Sequence, residues 1–279
     1  MMGRMTTIAI LSALPREIAL IQETYPGEVL HEGGLDIVHH ISENTKTHIF
    51  SAFGGMGTTN IAAATQTLIT VARYITHSAV DALFFNGIAG NLNAHLGFGD
   101  ILLCEKLVYE ETDSDIIAED KPYMKTFAST PKLLALAEEF LIEQGTTKIR
   151  NNASIHNAAQ LMYTEQGIRL APAEIDNHTD NLSTHRFTVG TVATSNLFST
   201  EPDILTQIIT RDHADAEEME GAAVSHVCHK NGVPHLVIRS MSNDCGEPYE
   251  QLDSREDDLN TSARLAAKVT IGVVEKILN

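Results

Sequence analysis

The sequence has no tryptophan, three cysteines, and about half as many basic as acidic residues, 19 Lys and Arg against 37 Asp and Glu, for a formal charge of −18. That shortage of positive charge excludes duplex DNA and anionic membrane surfaces as partners, because a phosphate field would repel the chain. Cys104, Cys228 and Cys245 are odd in number and widely spaced, with no CxxC pair. A disulfide framework or zinc knuckle is thereby excluded, and reduced thiols in a cytoplasmic setting are expected. Met1-Met2-Gly3-Arg4 leads straight into a strand-like run with no long apolar stretch, so neither a signal peptide nor a membrane span is expected. Thirteen histidines invite a metal reading, but no HExxH or similar spacing occurs, so no metal and no cofactor is expected. The two glycine-rich turns contain neither GxGxxG nor a following GK[ST], which removes the usual dinucleotide and nucleotide-triphosphate fingerprints. What remains is a soluble protein with a small-molecule partner.

With 279 residues, 43% of them apolar, the chain can bury a substantial core. Strand-like runs at Thr6 to Leu14, Asp36 to Ser42, Lys46 to Phe53, Asp81 to Phe85, Ile101 to Val108, Phe187 to Ala193 and Pro234 to Ser242 alternate with helical periodicity. The helical stretches are Pro15 to about Tyr25, Thr58 to Thr76, Pro131 to Gly145, Pro202 to Thr210, a stretch beginning near Glu217, and Thr261 to Leu278. Strands alternating with helices, plus one early hairpin, predict an α/β fold: a single three-layer domain over 1–279 with a mixed central β-sheet flanked by helices. From about 151 to 186 the pattern weakens, consistent with a lid, an insertion packing on a partner, or a long loop.

The most informative stretch is Glu217-Glu218-Met219-Glu220, running into Gly221-Ala222-Ala223-Val224-Ser225-His226-Val227. Glu220, Val224 and Val227 follow the offsets of one helical face, so Glu220 shares its side with residues that want the core. A buried carboxylate is costly unless something hydrogen-bonds to it. Ligands of such sheets sit beyond the carboxyl ends of the strands, and five strand ends carry unusual sequences: Leu14-Pro15-Arg16-Glu17, Gly54-Gly55-Met56-Gly57, Asn86-Gly87-Ile88-Ala89-Gly90, Ser195-Asn196-Leu197-Phe198 and Ser242-Asn243-Asp244. Glycines such as Gly87 let backbone N–H groups approach a ligand, or merely permit a tight turn. Glu17, in a first helical turn, also suits plain helix decoration. Phe198 suits base stacking or core packing. Ser242, Asn243 and Asp244 suit recognition of a heteroaromatic base or a turn cap.

The order of these motifs resembles the nucleoside phosphorylase/nucleosidase superfamily, specifically its 5′-methylthioadenosine/S-adenosylhomocysteine nucleosidase branch. The likeness is strongest in Glu218 to Cys228 and in Val233 to Ser242, and weakest across 151–185. It implies a nucleoside phosphorylase-like fold and hydrolysis of a purine nucleoside to base and sugar. It also implies that Glu220 grips both ribose hydroxyls, Met219 packs under the sugar, Glu17 positions the attacking water and Phe198 stacks on the purine. Glu218, Gly87, Ile88 and Ser242 fall among the expected substrate contacts. A homodimer is implied too, with a partner loop near the 5′ end of the substrate; Val108 to Asp113 is where such a loop would arise.

Three positions depart from the pattern. The family's general acid is the aspartate of a Ser-Asp pair. Here the pair reads Ser242-Asn243, with Asp244 one residue later. Either Asn243 meets the base, favouring a 6-oxopurine, or the turn shifts and Asp244 points inward. Ile88 stands where the branch has a small hydroxyl residue. The Gly-Asp-Pro-x-Arg loop of the phosphorylases is missing, and no arginine lies between Arg73 and Arg150, so water is expected as the nucleophile. A phosphorylase and a non-catalytic nucleoside-binding relative are the alternatives.

Overall fold

The computed structural model describes residues 5–42, 44–110, 126–149, 178–248, 250, 252 and 254–279, together with the backbone of 161–164 and 167–170. Within 151–186, the segments 151–160, 165–166 and 171–177 lie outside the described residues, as do 111–113 of the expected partner loop.

Along the chain run β1 (Thr6–Ser12), α1 (Pro15–Thr24), β2 (Glu28–Glu32), β3 (Leu35–Ser42), β4 (Thr47–Phe53), α2 (Thr58–Thr76), β5 (Ala82–Asn91) and β6 (Ile101–Tyr109). They are followed by β7 (Thr126–Ala128), α3 (Pro131–Glu143), β8 (Thr147–Lys148), β9 (Leu161–Thr164), β10 (Gly167–Leu170) and β11 (Arg186–Thr194). The last are α4 (Pro202–Asp212), β12 (Ala216–Glu218), α5 (Gly221–Asn231), β13 (His235–Asp244) and α6 (Glu256–Leu278). β9 and β10 form a separate antiparallel pair, within the stretch whose sequence carries no clear period.

The main sheet runs β12-β11-β6-β13-β5-β1-β4-β3-β2 and mixes parallel with antiparallel neighbours. Strand β1 shows why helices cover both faces. Ile8 and Ile10 face a core built with Ile18 and Ile21 of α1, Leu133 and Leu134 of α3, and Leu265 and Val269 of α6. Ala9 and Leu11 face the opposite core, with Ile61, Leu68 and Ile69 of α2 and Ala222, Ala223 and Val224 of α5. Side chains alternate across a strand, so a continuously apolar strand requires partners on both sides, and the result is three layers.

Two differences from the sequence-based expectation shape the site. Strand β5 does not stop at Phe85; it continues through the glycine-rich turn to Asn91, whose end pairs antiparallel with β12. Since β12 also pairs with β11, the strands β5, β13, β6, β11 and β12 close into a ring. The predicted helix start near Glu217 is likewise corrected. Glu217 and Glu218 are strand residues because their backbone completes that ring, and α5 begins at Gly221 with Glu220 as its N-cap.

Candidate active site

A cleft of about 270 Å³ opens over the ends of β1, β5, β12 and β13, lined by residues from each of those strand ends and by Phe198. It shares Gly90, Phe198, Glu217, Glu218, Met219 and Asn243 with a smaller recess, which adds Leu197, Ser199 and Cys245, so the two are continuous.

One side is organised by charge. Glu17 is buried; its Oε2 accepts the Ala13 N–H at 3.0 Å and the Leu14 N–H at 2.8 Å, and its Oε1 accepts the Ile88 N–H at 2.9 Å. The carboxylate thereby caps α1, whose N-cap Leu14 has no side chain able to do so. Burial raises its pKa, opposed by Arg239 and by those three N–H groups. Glu220 Oε1 accepts the Gly57 N–H at 2.8 Å, and its Oε2 lies 3.5 Å from Arg239 Nη2. Gly57 adopts φ 91°, a conformation that L side chains rarely take, and so aims its N–H while starting α2. Burial and the neighbouring Glu218 push the Glu220 carboxyl up to about 7, with Arg239 and the Gly57 N–H opposing.

Glu218 is held by the protein itself. Its carboxylate accepts from the Thr194 hydroxyl, from the Glu220 N–H at 3.0 Å, from the Gly221 N–H at 2.7 Å, and from Arg239. It therefore fixes the turn that presents Met219 and Glu220 as well as lining the cleft. Arg239, fully buried in β13, is the hub that the sequence-based reading did not single out. It is ion-paired with Glu218 and Glu220, and its guanidinium carbon sits 4.4 Å from the centre of the Phe85 ring. The available signal was a lone arginine within Leu236-Val237-Ile238-Arg239-Ser240-Met241, since an unpaired charge is not tolerated in a strand buried on both faces. Gly87 is required by the same packing: a Cβ there would overlap Arg239 Nη1 and Glu17 Oε1.

The other side is aromatic and amide in character. Phe198 lines the cleft while still 44% exposed. Its segment is tied to the start of α2, where Asn196 Oδ1 accepts the Thr58 N–H at 2.9 Å. Asn243 lines both cleft and recess; its Oδ1 accepts from Ser242 Oγ at 2.8 Å, and its Nδ2 donates to the Asp244 carbonyl at 3.0 Å. The register of β13 against β5 slips between Met241 and Asn243, so Ser242 is the extra residue of a bulge. Asp244 does not line the cleft: its Oδ1 accepts from Asn91 Nδ2 at 3.1 Å. The alternative in which Asp244 turns inward is thus not the conformation found. Met219 and Ile88 also line the cleft, as do Ala13, Leu14, Met56, Leu252 and Leu259, which add apolar wall. Arg16 lines it as well, with Nη1 buried and without a hydrogen-bond partner among the described residues.

No group of histidines, cysteines or carboxylates suited to a metal ion occurs among the described residues, where the three cysteines are free and buried. No helix among them is long and apolar enough to cross a membrane.

A family model described as the phosphorylase superfamily matches residues 7–279. A 5′-methylthioadenosine/S-adenosylhomocysteine nucleosidase of Treponema pallidum is 25% identical, aligned over 97% of this chain and 93% of its own. An aminodeoxyfutalosine nucleosidase of Helicobacter pylori is 26% identical, aligned over 98% of this chain and all of its own. The fold matches the crystal structure of a 5′-methylthioadenosine/S-adenosylhomocysteine nucleosidase from Helicobacter pylori with butyl-thio-DADMe-Immucillin-A. That match has a TM-score of 0.74 at 23% identity, covering 98% of this chain and 100% of that one.

Proposed function

The chain belongs to the phosphorylase superfamily, and on that premise we propose that it hydrolyses the N-glycosidic bond of a purine nucleoside, with 5′-methylthioadenosine and S-adenosylhomocysteine as the first substrates to test. The observation that carries this reading is the convergence of Glu17, Glu218 and Glu220 on the single cation Arg239 at one side of a cleft, with Phe198 and Asn243 at the other. Cleavage passes through an oxocarbenium-like sugar. Three carboxylates around the buried Arg239, with Arg16 as a further cation of the cleft lining, are set up to stabilise that positive charge electrostatically.

The residue roles follow from what each group has left to offer. An ionised carboxylate accepts at about four sites. Glu17 uses three of them on Ala13, Leu14 and Ile88, which leaves a place for one water to be oriented and deprotonated. Glu220 spends one on Gly57 and keeps acceptor capacity for both hydroxyls of a ribose diol, with Met219 as the apolar floor. Phe198 supplies a face on which a purine stacks, and Asn243 pairs donor and acceptor groups with the edge of the base. The apolar wall of Met56, Leu252 and Leu259 suits a thioether at the 5′ position better than a charged group.

Water is favoured over phosphate because an anion would enter beside three carboxylates. Arg16 favours a phosphorylase, but it is a single cation, and Arg239 is paired through Nη2 with Glu218 and Glu220. A homodimer whose partner closes the 5′ end belongs to the same proposal, as does a cytoplasmic setting, for which the three reduced thiols speak.

The test is base release from 5′-methylthioadenosine, S-adenosylhomocysteine, inosine, adenosine and uridine, with and without phosphate. Release of a purine base without phosphate is expected. Release only with phosphate would establish a phosphorylase. Binding without release would mark a nucleoside-binding protein, and preference for inosine would place the specificity on Asn243.

A further inference from the structure

A departing purine needs a proton, and the two residues at the end of β13 are poorly placed to give one. Asn243 reaches the base side of the cleft but carries an amide, which delivers no proton. Asp244 carries an acid but faces Asn91 and lies outside the cleft. Strand β12, separated from β13 by β5, holds a carboxyl group that the roles assigned so far leave unused. Glu217 is buried, and it lines the recess together with Phe198 and Asn243.

Its surroundings differ from those of the next residue. Glu218 is paired with Arg239 and accepts two backbone N–H bonds. Glu217 accepts from the Ser199 hydroxyl and backbone and from the Cys245 thiol, with no cation beside it among the described residues. Burial raises its pKa against the opposing hydrogen bonds from Ser199 and Cys245, and the negative charge of Glu218 adds a smaller push upward. Adjacent carboxyl groups in such different surroundings, one paired with a buried arginine and one not, suit different roles.

We propose that Glu217 is the general acid of this site, transferring its carboxyl proton to N7 of the purine as the glycosidic bond breaks. The inference rests on the nucleoside-hydrolase reading above. In the step, the electron pair of the C1′–N9 bond goes to the base, which takes the Glu217 proton. The water oxygen bonds to C1′ and the water proton passes to Glu17. Glu17 then returns a proton to solvent and Glu217 regains one. Asn243 orients the base edge, so the acid function has moved from the end of β13 to β12 while the recognition function has stayed.

The test compares Glu217→Gln and Glu217→Asp with the wild-type protein on whichever of 5′-methylthioadenosine, S-adenosylhomocysteine and inosine is cleaved fastest. A 4-nitrophenyl riboside with the same 5′ group serves as the second substrate, since nitrophenolate departs without a proton. For Glu217→Gln, kcat on the purine nucleoside should fall by about 100-fold or more, with KM within about threefold. Cleavage of the nitrophenyl riboside should change little, and Glu217→Asp should recover part of the loss. Equal loss on both substrates, no loss on either, or an aspartate variant as inactive as the glutamine variant would overturn the assignment. If the nitrophenyl compound is not cleaved, the Asp-against-Gln comparison decides. Failure of the wild-type protein to release any base would overturn the hydrolase reading itself and this inference with it; a normal wild-type protein with an indifferent Glu217→Gln variant would overturn this inference alone.

Discussion

Gly87 has no side chain, yet it decides how close the two charged partners can stand. Its missing Cβ leaves the room in which Arg239 Nη1 and Glu17 Oε1 approach each other beneath the cleft. A methyl group there has to displace one of them, and a displacement of the order of an ångström in catalytic groups costs about 100-fold in rate. Gly87→Ala should therefore keep its circular-dichroism spectrum while losing about 100-fold in kcat/KM. Activity within about threefold of wild type would show that the approach of Glu17 and Arg239 is unimportant. From the residues alone only Glu220 was legible, through the cost of burying its carboxylate; the other site residues were singled out through the family resemblance. Glu220, Met219, Phe198, Asn243, Ser242, Ile88 and Glu17 all line the one cleft. The choice between Asn243 and Asp244 was not legible, because it turns on a bulge at Ser242 that no local composition signals. Glu217 was visible only as part of an acidic run, since its neighbours Ser199 and Cys245 are far away in sequence.

At the scale of elements, β13 carries the heaviest electrostatic burden, because its one arginine neutralises charge brought in by α1, by β12 and by the turn before α5. Removing a partner from a buried ion pair strands the remaining charges, which typically costs about 3–5 kcal/mol. Arg239→Met should lower unfolding stability by about that amount in denaturant melts. A loss below about 1 kcal/mol would mean that the carboxylates find other compensation. Most elements were readable from periodicity: α2 spans Thr58–Thr76 and α1 starts at Pro15, as expected. Short strands were not. β2, β7 and β8 have too few residues, or too polar a pattern, to show alternation. β12 was hidden for a different reason. Three residues with two glutamates look like a helix start, and only pairing with β11 and β5 makes them a strand.

For the molecule as a whole, the three cleft carboxyl groups whose pKa values are raised make stability and activity respond to pH in opposite directions. Glu220 is pushed up to about 7 from an ordinary value of 4.5, and Glu17 and Glu217 are raised in the same direction. Between about 4.5 and 7 the folded protein keeps protons that the unfolded chain loses. Unliganded stability should therefore fall as pH rises through that window. Glu220→Gln should flatten part of this slope, as read by thermal melts. A wild-type protein that gains stability over the interval would contradict the raised values. Because the ribose diol needs the ionised carboxylate, kcat/KM should instead rise toward pH 7 with an acidic limb near that value, and the limb should vanish in Glu220→Gln. The net charge of −18 adds repulsion that works with the stability trend.

The most direct test of the central claim is the identity of the sugar released from the purine nucleoside that the protein cleaves fastest, measured in buffer containing inorganic phosphate. A site of three carboxylates around one buried arginine should yield the free sugar and the base, at a rate independent of phosphate. Formation of a sugar 1-phosphate, or a rate that scales with phosphate, would contradict the account.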